Sequence, residues 1–178
     1  MLVPRQKVPA LNVETLDGTR FDLSHRAPER LTLLCFYRGL HCPICASYLK
    51  ELEKQVPALK ERGVEAIAIS GDTAERARQM ADKVGASQLQ IGYGLELAVA
   101  RAWGLFISAS RGKTSIGIEE PELFSEPGVF LVRPDQTLYW LSVQSMPFVR
   151  PNFVEVVQAQ DFVIRNDYPA RGEYIGQV

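Results

Sequence analysis

The chain has 178 residues, 46% of them apolar, and a formal net charge of −1. This length and apolar content predict one α/β domain, residues 1–178, with a full hydrophobic core. The balanced charge argues against nucleic acid as a partner, because a protein that follows a phosphate backbone needs a basic excess. No stretch approaches the roughly 20 apolar residues of a membrane span, so we expect no membrane insertion.

The cysteines and the N-terminal sequence bear on localisation. Three cysteines are too few, and odd in number, for a secreted disulfide framework. The first residues have neither the apolar h-region nor the small-residue cleavage site of a signal peptide. We therefore expect a cytoplasmic protein. In a reducing compartment a close cysteine pair is more often catalytic or metal-binding than structural.

The beginning of the chain predicts a hairpin and a buried strand. Residues 10–23 alternate between apolar and polar types around Asp17 and Gly18, which is a hairpin signal. The near-continuous apolar run 31–37 is typical of a strand buried on both faces. A short polar loop, residues 38–41, follows this strand.

The next segment predicts a long amphipathic helix. Cys42 occupies the N-cap position and Pro43 the first helical position, where proline loses no hydrogen bond. Pro57 should kink this helix or divide it, and Gly63 is placed to end it. The apolar residues of this helix recur at steps of three and four: Ile44, Tyr48, Leu49, Leu52, Val56 and Leu59.

Strands and helices continue to alternate in the middle of the chain. Residues 64–70 predict a buried strand, and residues 71–73 open a helix that runs to about Val84. A further helix is expected over residues 96–103. Residues 105–126 are loop-like.

The last part of the chain predicts a second hairpin and a final helix. The strand-like runs 129–132 and 137–143 flank a short turn. Asn152 is placed to cap the helix, with Glu155 as its capping-box partner, and the residues from Asn166 resemble a tail. The alternation along the chain favours an α/β layer architecture.

The feature of greatest chemical interest is the C-x-x-C formed by Cys42 and Cys45 at the start of the long helix. A sulfur attacks a disulfide or a peroxide only as the thiolate, and a free cysteine titrates near about 8.5. The unpaired N–H groups and the positive dipole end of a helix N-terminus favour the thiolate. Arg38 is the candidate catalytic cation. His41 is either a substrate-binding group that adds positive charge or a solvated side chain.

A core-packing role and a zinc site both account less well for the cysteine pair. Buried cysteines can act as small hydrophobic residues, but core packing does not require a cap position followed by Pro43. A zinc site would need further ligands, yet His41 is adjacent to Cys42 and poorly placed to chelate the same ion. We therefore expect no metal and no other cofactor. Cys35, within the buried run, is assigned to the core.

Several segments of the chain follow the pattern of a known family: Val8-Pro9, Thr15-Leu16-Asp17-Gly18, Phe36-Tyr37-Arg38-Gly39, Cys42-Pro43-Ile44-Cys45, Ala68-Ile69-Ser70-Gly71-Asp72 and Pro127-Gly128-Val129-Phe130-Leu131-Val132. In these segments the chain resembles the peroxiredoxin-like branch of the alkyl hydroperoxide reductase and thiol-specific antioxidant family. The resemblance implies a thioredoxin-like fold, three-layer α/β/α with a mixed central sheet. It also implies a cis-proline that lies against the active-site sulfurs before a late strand, and Pro127 is the residue that matches.

The family's active-site motif is altered in this chain. Peroxiredoxins carry Pro-x-x-x-Thr-x-x-Cys, and the spacing places Arg38 at the proline, Cys42 at the threonine and Cys45 at the peroxidatic cysteine. The family's second arginine, just before the late strand, is replaced by Glu126 and Pro127. Compared with a thioredoxin instead, the same residues form a complete C-x-x-C.

Two enzymatic interpretations therefore stay open. In a peroxide reductase of the family's type, Cys45 attacks the peroxide and Cys42 condenses with the resulting sulfenic acid. In a thiol–disulfide oxidoreductase, Cys42 is the exposed attacking thiolate and Cys45 resolves the mixed disulfide. The cap position favours Cys42 as the nucleophile, whereas the family favours peroxide as the substrate. A third interpretation is a thioredoxin-fold binding module that no longer turns over.

The expected partners follow from this chemistry. The substrate is a peroxide or a disulfide, and a reductant must reopen the oxidised Cys42–Cys45 product. Thioredoxin, glutathione and a small thiol are all candidates for that reductant. Family members often pair through sheet edges or helix faces, so the resemblance is compatible with a homodimer.

Overall fold

A mixed seven-stranded sheet forms the centre of the computed structural model, which describes residues 2–177. Its strands, with those of a smaller sheet, are β1 (Asn12–Thr15), β2 (Arg20–Asp22), β3 (Leu31–Phe36), β4 (Val64–Ile69), β5 (Gln90–Tyr93), β6 (Ile107–Ala109), β7 (Leu123–Ser125), β8 (Gly128–Val132) and β9 (Leu138–Val143). The order in the main sheet is β2-β1-β5-β4-β3-β8-β9, and β6 pairs with β7. The central strand β3 is buried throughout and pairs parallel with β4 and antiparallel with β8, which makes the sheet mixed, as expected.

Helices cover both faces of this sheet. They are α1 (Pro43–Glu61), α2 (Ala74–Val84), α3 (Leu97–Ala102) and α4 (Phe153–Asn166). Because neighbouring residues of a strand point to opposite faces, Leu33 and Cys35 of β3 pack with α1, α2 and α4. Leu34 and Phe36 pack on the other face with Trp103, which follows α3. The predicted three-layer α/β/α fold is confirmed.

The helix α1 begins where the sequence predicts. Cys42 is its N-cap and Pro43 its first residue. Pro57 lies inside the helix without dividing it, so that alternative is wrong; the apolar residues on either side of Pro57 stay packed against the core. Gly63, at φ +70°, ends the helix by donating its N–H to the carbonyl of Lys60.

Two strand regions are not predicted by the sequence pattern. The strand β5 contains Gly92, and glycine weakens a strand signal; a Cβ there would lie 2.8 Å from Val13 Cγ2, so the close approach of β1 requires glycine. The segment 105–126 is not a loop throughout, because β6 and β7 pair across it. These two short strands are too far apart in the sequence for a local pattern to reveal that they pair.

The residues after α4 are held by the body of the protein rather than forming a free tail. Ala170 is only 3% exposed, and its carbonyl accepts a hydrogen bond of 2.8 Å from Arg5 Nε. The hydroxyl of Tyr139 donates to the carbonyl of Tyr168 at 2.9 Å. No helix within residues 2–177 has the length and apolar character to cross a membrane.

Candidate active site

Cys42 and Cys45 lie on the first turn of α1. Cys42 has an extended backbone (φ −97°, ψ 109°), and the Cys45 N–H donates to the Cys42 carbonyl at 3.1 Å. The spacing of three residues places both side chains on one side of the turn. Cys42 is 1% exposed and Cys45 is fully buried. The expectation that Cys42 is an exposed thiol is therefore wrong, because Arg150 from a distant loop packs against both sulfurs.

The surroundings separate the pKa values of the two thiols. Hydrogen bonds from the side chain and backbone N–H of Cys45 lower the pKa of Cys42 to about 6, with smaller contributions from Arg150 and Arg38 that also act against burial. Burial raises the pKa of Cys45 well above the ordinary cysteine value. The positive end of the α1 dipole acts on Cys42 in the same direction. At neutral pH, Cys42 is therefore the thiolate and Cys45 the thiol.

Arg150 contacts both sulfurs. Its Nη2 lies 3.2 Å from Cys45 Sγ and 3.9 Å from Cys42 Sγ. Among the ion pairs of the described part of the chain, none involves Arg150. Its buried Nη1 has no hydrogen-bond partner within residues 2–177. The guanidinium therefore directs its charge to the sulfurs and keeps one donor nitrogen free.

The sequence pattern does not reveal the role of Arg150. It lies 105 positions after Cys45, and no local pattern connects the two. The one local indication of a special role is that Arg150 is a single cation in the apolar run 146–151. A charge placed among apolar residues is costly unless it has a specific partner.

Arg150 is carried by a loop, residues 144–152, that connects β9 to α4 and that we call the strap. Within the strap, Arg150 Nε donates to the Pro147 carbonyl at 2.8 Å. Outside it, the guanidinium carbon lies 4.9 Å from the ring centre of Tyr48 on α1. The Tyr48 hydroxyl donates to the Pro151 carbonyl at 2.7 Å. The strap is thus attached to the same helix that bears both cysteines.

Arg38 also lies beside the sulfurs, but its charge is shared with two carboxylates. Its Nη2 lies 3.4 Å from Glu120 Oε1, and its Nε lies 3.2 Å from Glu126 Oε2. Its guanidinium carbon lies 4.6 Å from the ring centre of Phe124. Arg38 contributes less than Arg150 to the low pKa of Cys42, and its charge is paired with the two carboxylates. It joins the 105–126 segment to the active-site loop.

The expectation that His41 is either charged or solvated is wrong. Its side chain is fully buried, and its ring centre lies 4.7 Å from that of Phe124. Burial, together with the charges of Arg38 and Arg76, lowers the pKa of His41 to about 4. Neither ring nitrogen has a hydrogen-bond partner in the described structure. His41 is a neutral side chain at pH 7.

Pro127 differs from the implied cis-proline. The described residues contain no cis peptide bond, so Pro127 is trans. Pro127 directly precedes β8, whose first residue, Gly128, pairs with Phe36 of β3. The Pro127 carbonyl accepts the N–H of Gln144 at 3.0 Å. Pro127 is therefore buried where the strap begins.

A carboxylate on the second strand–helix connection holds the loop before Cys42. Asp72 is 4% exposed; its Oδ2 accepts the Leu40 N–H at 2.8 Å and its Oδ1 accepts Arg76 Nε at 3.0 Å. Gly39 has φ +135°, and a Cβ there would lie 2.9 Å from Asp72 Oδ1. The loop therefore requires glycine at this position. No cluster of three His, Cys, Asp or Glu side chains within residues 2–177 is arranged to hold a metal ion.

Comparisons with known proteins agree with this architecture. The AhpC/TSA family model matches residues 4–141, well over half of the chain. A comparison with curated protein sequences gives no significant match.

Solved structures of the same fold include several peroxiredoxins. Peroxidoxin BcpB from Mycobacterium tuberculosis superposes with a TM-score of 0.71 at 17% identity, covering 93% of this chain and 100% of that one. AhpC from Enterococcus faecalis gives 0.72 at 17% identity, covering 96% and 99%. Prx3 from Vibrio vulnificus, solved with hydrogen peroxide, gives 0.70 at 15% identity, covering 90% and 99%.

The family match spans the strand, loop and helix that build the cysteine pair, and the structural neighbours share the whole layered fold. The resemblance seen in the sequence is thereby confirmed. The chain belongs to the AhpC/TSA family, the family of the thiol-dependent peroxidases known as peroxiredoxins.

Proposed function

We propose that this protein reduces hydroperoxides, with Cys42 as the attacking thiolate and Cys45 as the resolving thiol. The observation that carries this proposal is the position of the Cys42 sulfur at the start of α1, where its pKa is lowered to about 6 beside Arg150. The family match supports peroxide as the substrate.

In the first step, the Cys42 thiolate attacks one oxygen of the peroxide. An S–O bond forms, the O–O bond breaks, and the sulfur gives up two electrons. The departing oxygen leaves as hydroxide or alkoxide and takes a proton from solvent. The guanidinium of Arg150, with Nη1 free of other partners, is placed to stabilise this developing charge.

In the second step, the Cys45 thiol attacks the Cys42 sulfenic acid. An S–S bond forms, the S–O bond breaks, and water leaves with the Cys45 proton. A thiol reductant then supplies two electrons and two protons to restore both thiols. We propose a thioredoxin-type protein, glutathione or a small thiol for this role, and a reducing cytoplasmic compartment, which the low cysteine count favours.

This assignment reverses the order that alignment with the family motif implies, in which Cys45 would attack. The physical reason is protonation. Cys45 is fully buried and burial raises its pKa, so it holds its proton at neutral pH. The Cys45 thiol, the Cys45 backbone N–H and Arg150 stabilise the negative charge of Cys42.

The order of attack can be tested with hydrogen peroxide and a reagent that traps sulfenic acid. We expect one equivalent of peroxide to remove two thiols from the reduced wild type. C45S should accumulate a trapped sulfenic acid on Cys42, because its resolving thiol is gone, whereas C42S should react slowly. Trapping in C42S instead would make Cys45 the attacker. Reaction of wild type no faster than that of a free thiol would remove the peroxidase proposal.

Disulfide exchange is the second candidate, since a low-pKa thiolate in a C-x-x-C also suits it. The burial of Cys42 favours the smaller peroxide over a protein disulfide. Parallel rates with hydrogen peroxide and with a protein disulfide would separate the two. A binding module that no longer turns over would react with neither, and its partner binding would survive mutation of either cysteine to serine.

A further inference from the structure

The strap that carries Arg150 has few apolar anchors of its own. Met146 and Phe148 are about half exposed, and Val149 is 90% exposed. Val149 also has φ +54°, a conformation that β-branched residues rarely adopt. Neither apolar burial nor backbone preference explains why this loop lies against α1. Contacts with other elements must therefore hold it there.

Tyr48 makes two such contacts, one on each side of the same peptide bond. Its hydroxyl donates to the carbonyl of Pro151, and its ring faces the guanidinium of Arg150. The ring in turn stacks against Phe153 at 4.4 Å between centres. Tyr48 thus fixes both the backbone that follows Arg150 and the plane of its side chain.

The position of Tyr48 on α1 relates these contacts to the sulfurs. It lies three residues after Cys45, one turn along the helix on the same side. Its own environment keeps the hydroxyl a neutral donor, because burial raises the pKa of Tyr48. One rigid helix therefore carries both cysteines and the side chain that holds the arginine against them.

We propose that Tyr48 is a positioning residue that fixes the guanidinium of Arg150 over the sulfurs of Cys42 and Cys45. The proposal rests on the proposed function for its catalytic meaning, since Arg150 is assigned there to the developing charge. The effect of Tyr48 on the Cys42 thiolate, which it exerts through Arg150, does not depend on whether the protein reduces peroxide. Tyr48 acts through Arg150 and has no contact with substrate in this scheme.

The test compares Y48F and Y48L with R150M and with the double variant Y48F/R150M. The readout is the midpoint of the Cys42 thiolate absorbance against pH, taken as the difference from the same background carrying C42S. Y48F loses the bond to Pro151 but keeps the ring, whereas Y48L loses both. We expect the midpoint to rise in the order wild type, Y48F, Y48L. The rate with peroxide near pH 6 should fall about two- to tenfold in Y48F, the range of one hydrogen bond.

A matched control is Y139F, which also removes a tyrosine hydroxyl bonded to a backbone carbonyl, at 2.9 Å from Tyr168. It should leave the Cys42 midpoint unchanged. In the R150M background, Y48F should add nothing further, because Tyr48 works through the arginine. An equal additional shift in that background, or a wild-type midpoint in folded Y48F and Y48L, would overturn the proposal.

The outcomes for the two proposals are distinguishable. If the protein does not reduce peroxide, the Cys42 midpoint still reports on Arg150 and tests the role of Tyr48. If peroxide reduction is rapid and Y48L leaves the midpoint and the rate unchanged, only the positioning proposal fails. Should Y48L prove unstable, Y48F and the double variant still decide the question.

Discussion

At the scale of single residues, the site depends on an asymmetry between two sulfurs three positions apart. Burial raises the pKa of Cys45, whereas the surroundings of Cys42 lower its pKa to about 6, which favours the thiolate at pH 7. The largest contribution to this shift comes from the Cys45 thiol, ahead of its backbone N–H and of Arg150. Cys45 therefore lowers the pKa of Cys42 already in the reduced protein.

We predict that C45A raises the pKa of Cys42 above 6, toward the free-thiol value of about 8.5. The sign follows from the lost donor: without the Cys45 thiol, the charged form of Cys42 is less stable, so more alkaline conditions are needed to form it. The thiolate absorbance of Cys42 against pH measures this shift. C35A is the matched control, because Cys35 is not among the groups that lower this pKa; an equal shift in C35A would contradict the interpretation.

At the scale of secondary-structure elements, the site is built where β3 passes into α1 through loop 38–41. Cys42 can occupy the N-cap position of α1 only if this short loop holds a fixed conformation. Asp72, between β4 and α2, fixes the loop through the Leu40 N–H and is itself paired with Arg76. The adjacent strand–helix connection thus supports the active-site connection.

We predict that D72A lowers the free energy of unfolding by about 1–3 kcal/mol, because it leaves the buried Leu40 N–H without its acceptor. Urea unfolding measures the change. D82A, an exposed aspartate within α2, is the matched control and should stay within about 0.5 kcal/mol of wild type. A D72A variant as stable as D82A would show that the loop does not depend on this carboxylate.

At the scale of the whole molecule, both ends of the described chain meet beside the sheet. Ala170 is buried, and Arg5 both donates to its carbonyl and lies 3.1 Å from Glu173. Lys7 forms an isolated antiparallel β-bridge with Thr137, the residue before β9. The segment after α4 therefore packs beside the N-terminal residues and β9.

We predict that A170D destabilises the protein by about 1–3 kcal/mol, since it places a carboxylate in a site that is 3% exposed. Thermal and urea unfolding measure the loss. A10D, at an exposed alanine before β1, should change stability by no more than about 0.5 kcal/mol. If the two variants were equally stable, the segment after α4 would not be part of the folded core.

The sequence alone determined most elements and singled out the cysteine pair as the candidate reacting groups. The buried run of β3, the cap and proline at the start of α1, and the hairpins all follow from local periodicity and turn chemistry, which act between residues close in the chain. The C-x-x-C at a helix N-terminus identified Cys42 and Cys45 for the same reason. The helix α1 continues through Pro57 because its apolar residues on both sides of the proline pack against the core. The local sequence pattern does not show this packing.

The tertiary structure decided which charges surround the sulfurs. Arg150 reaches them from 105 positions away, Arg38 is offset by Glu126, and His41 is buried and neutral. Each of these outcomes depends on packing between elements remote in sequence, and the charge of a group depends on burial and partners as much as on its chemical type. The sequence could therefore single out the two cysteines, but only the folded chain shows which groups lower the pKa of Cys42 and raise that of Cys45.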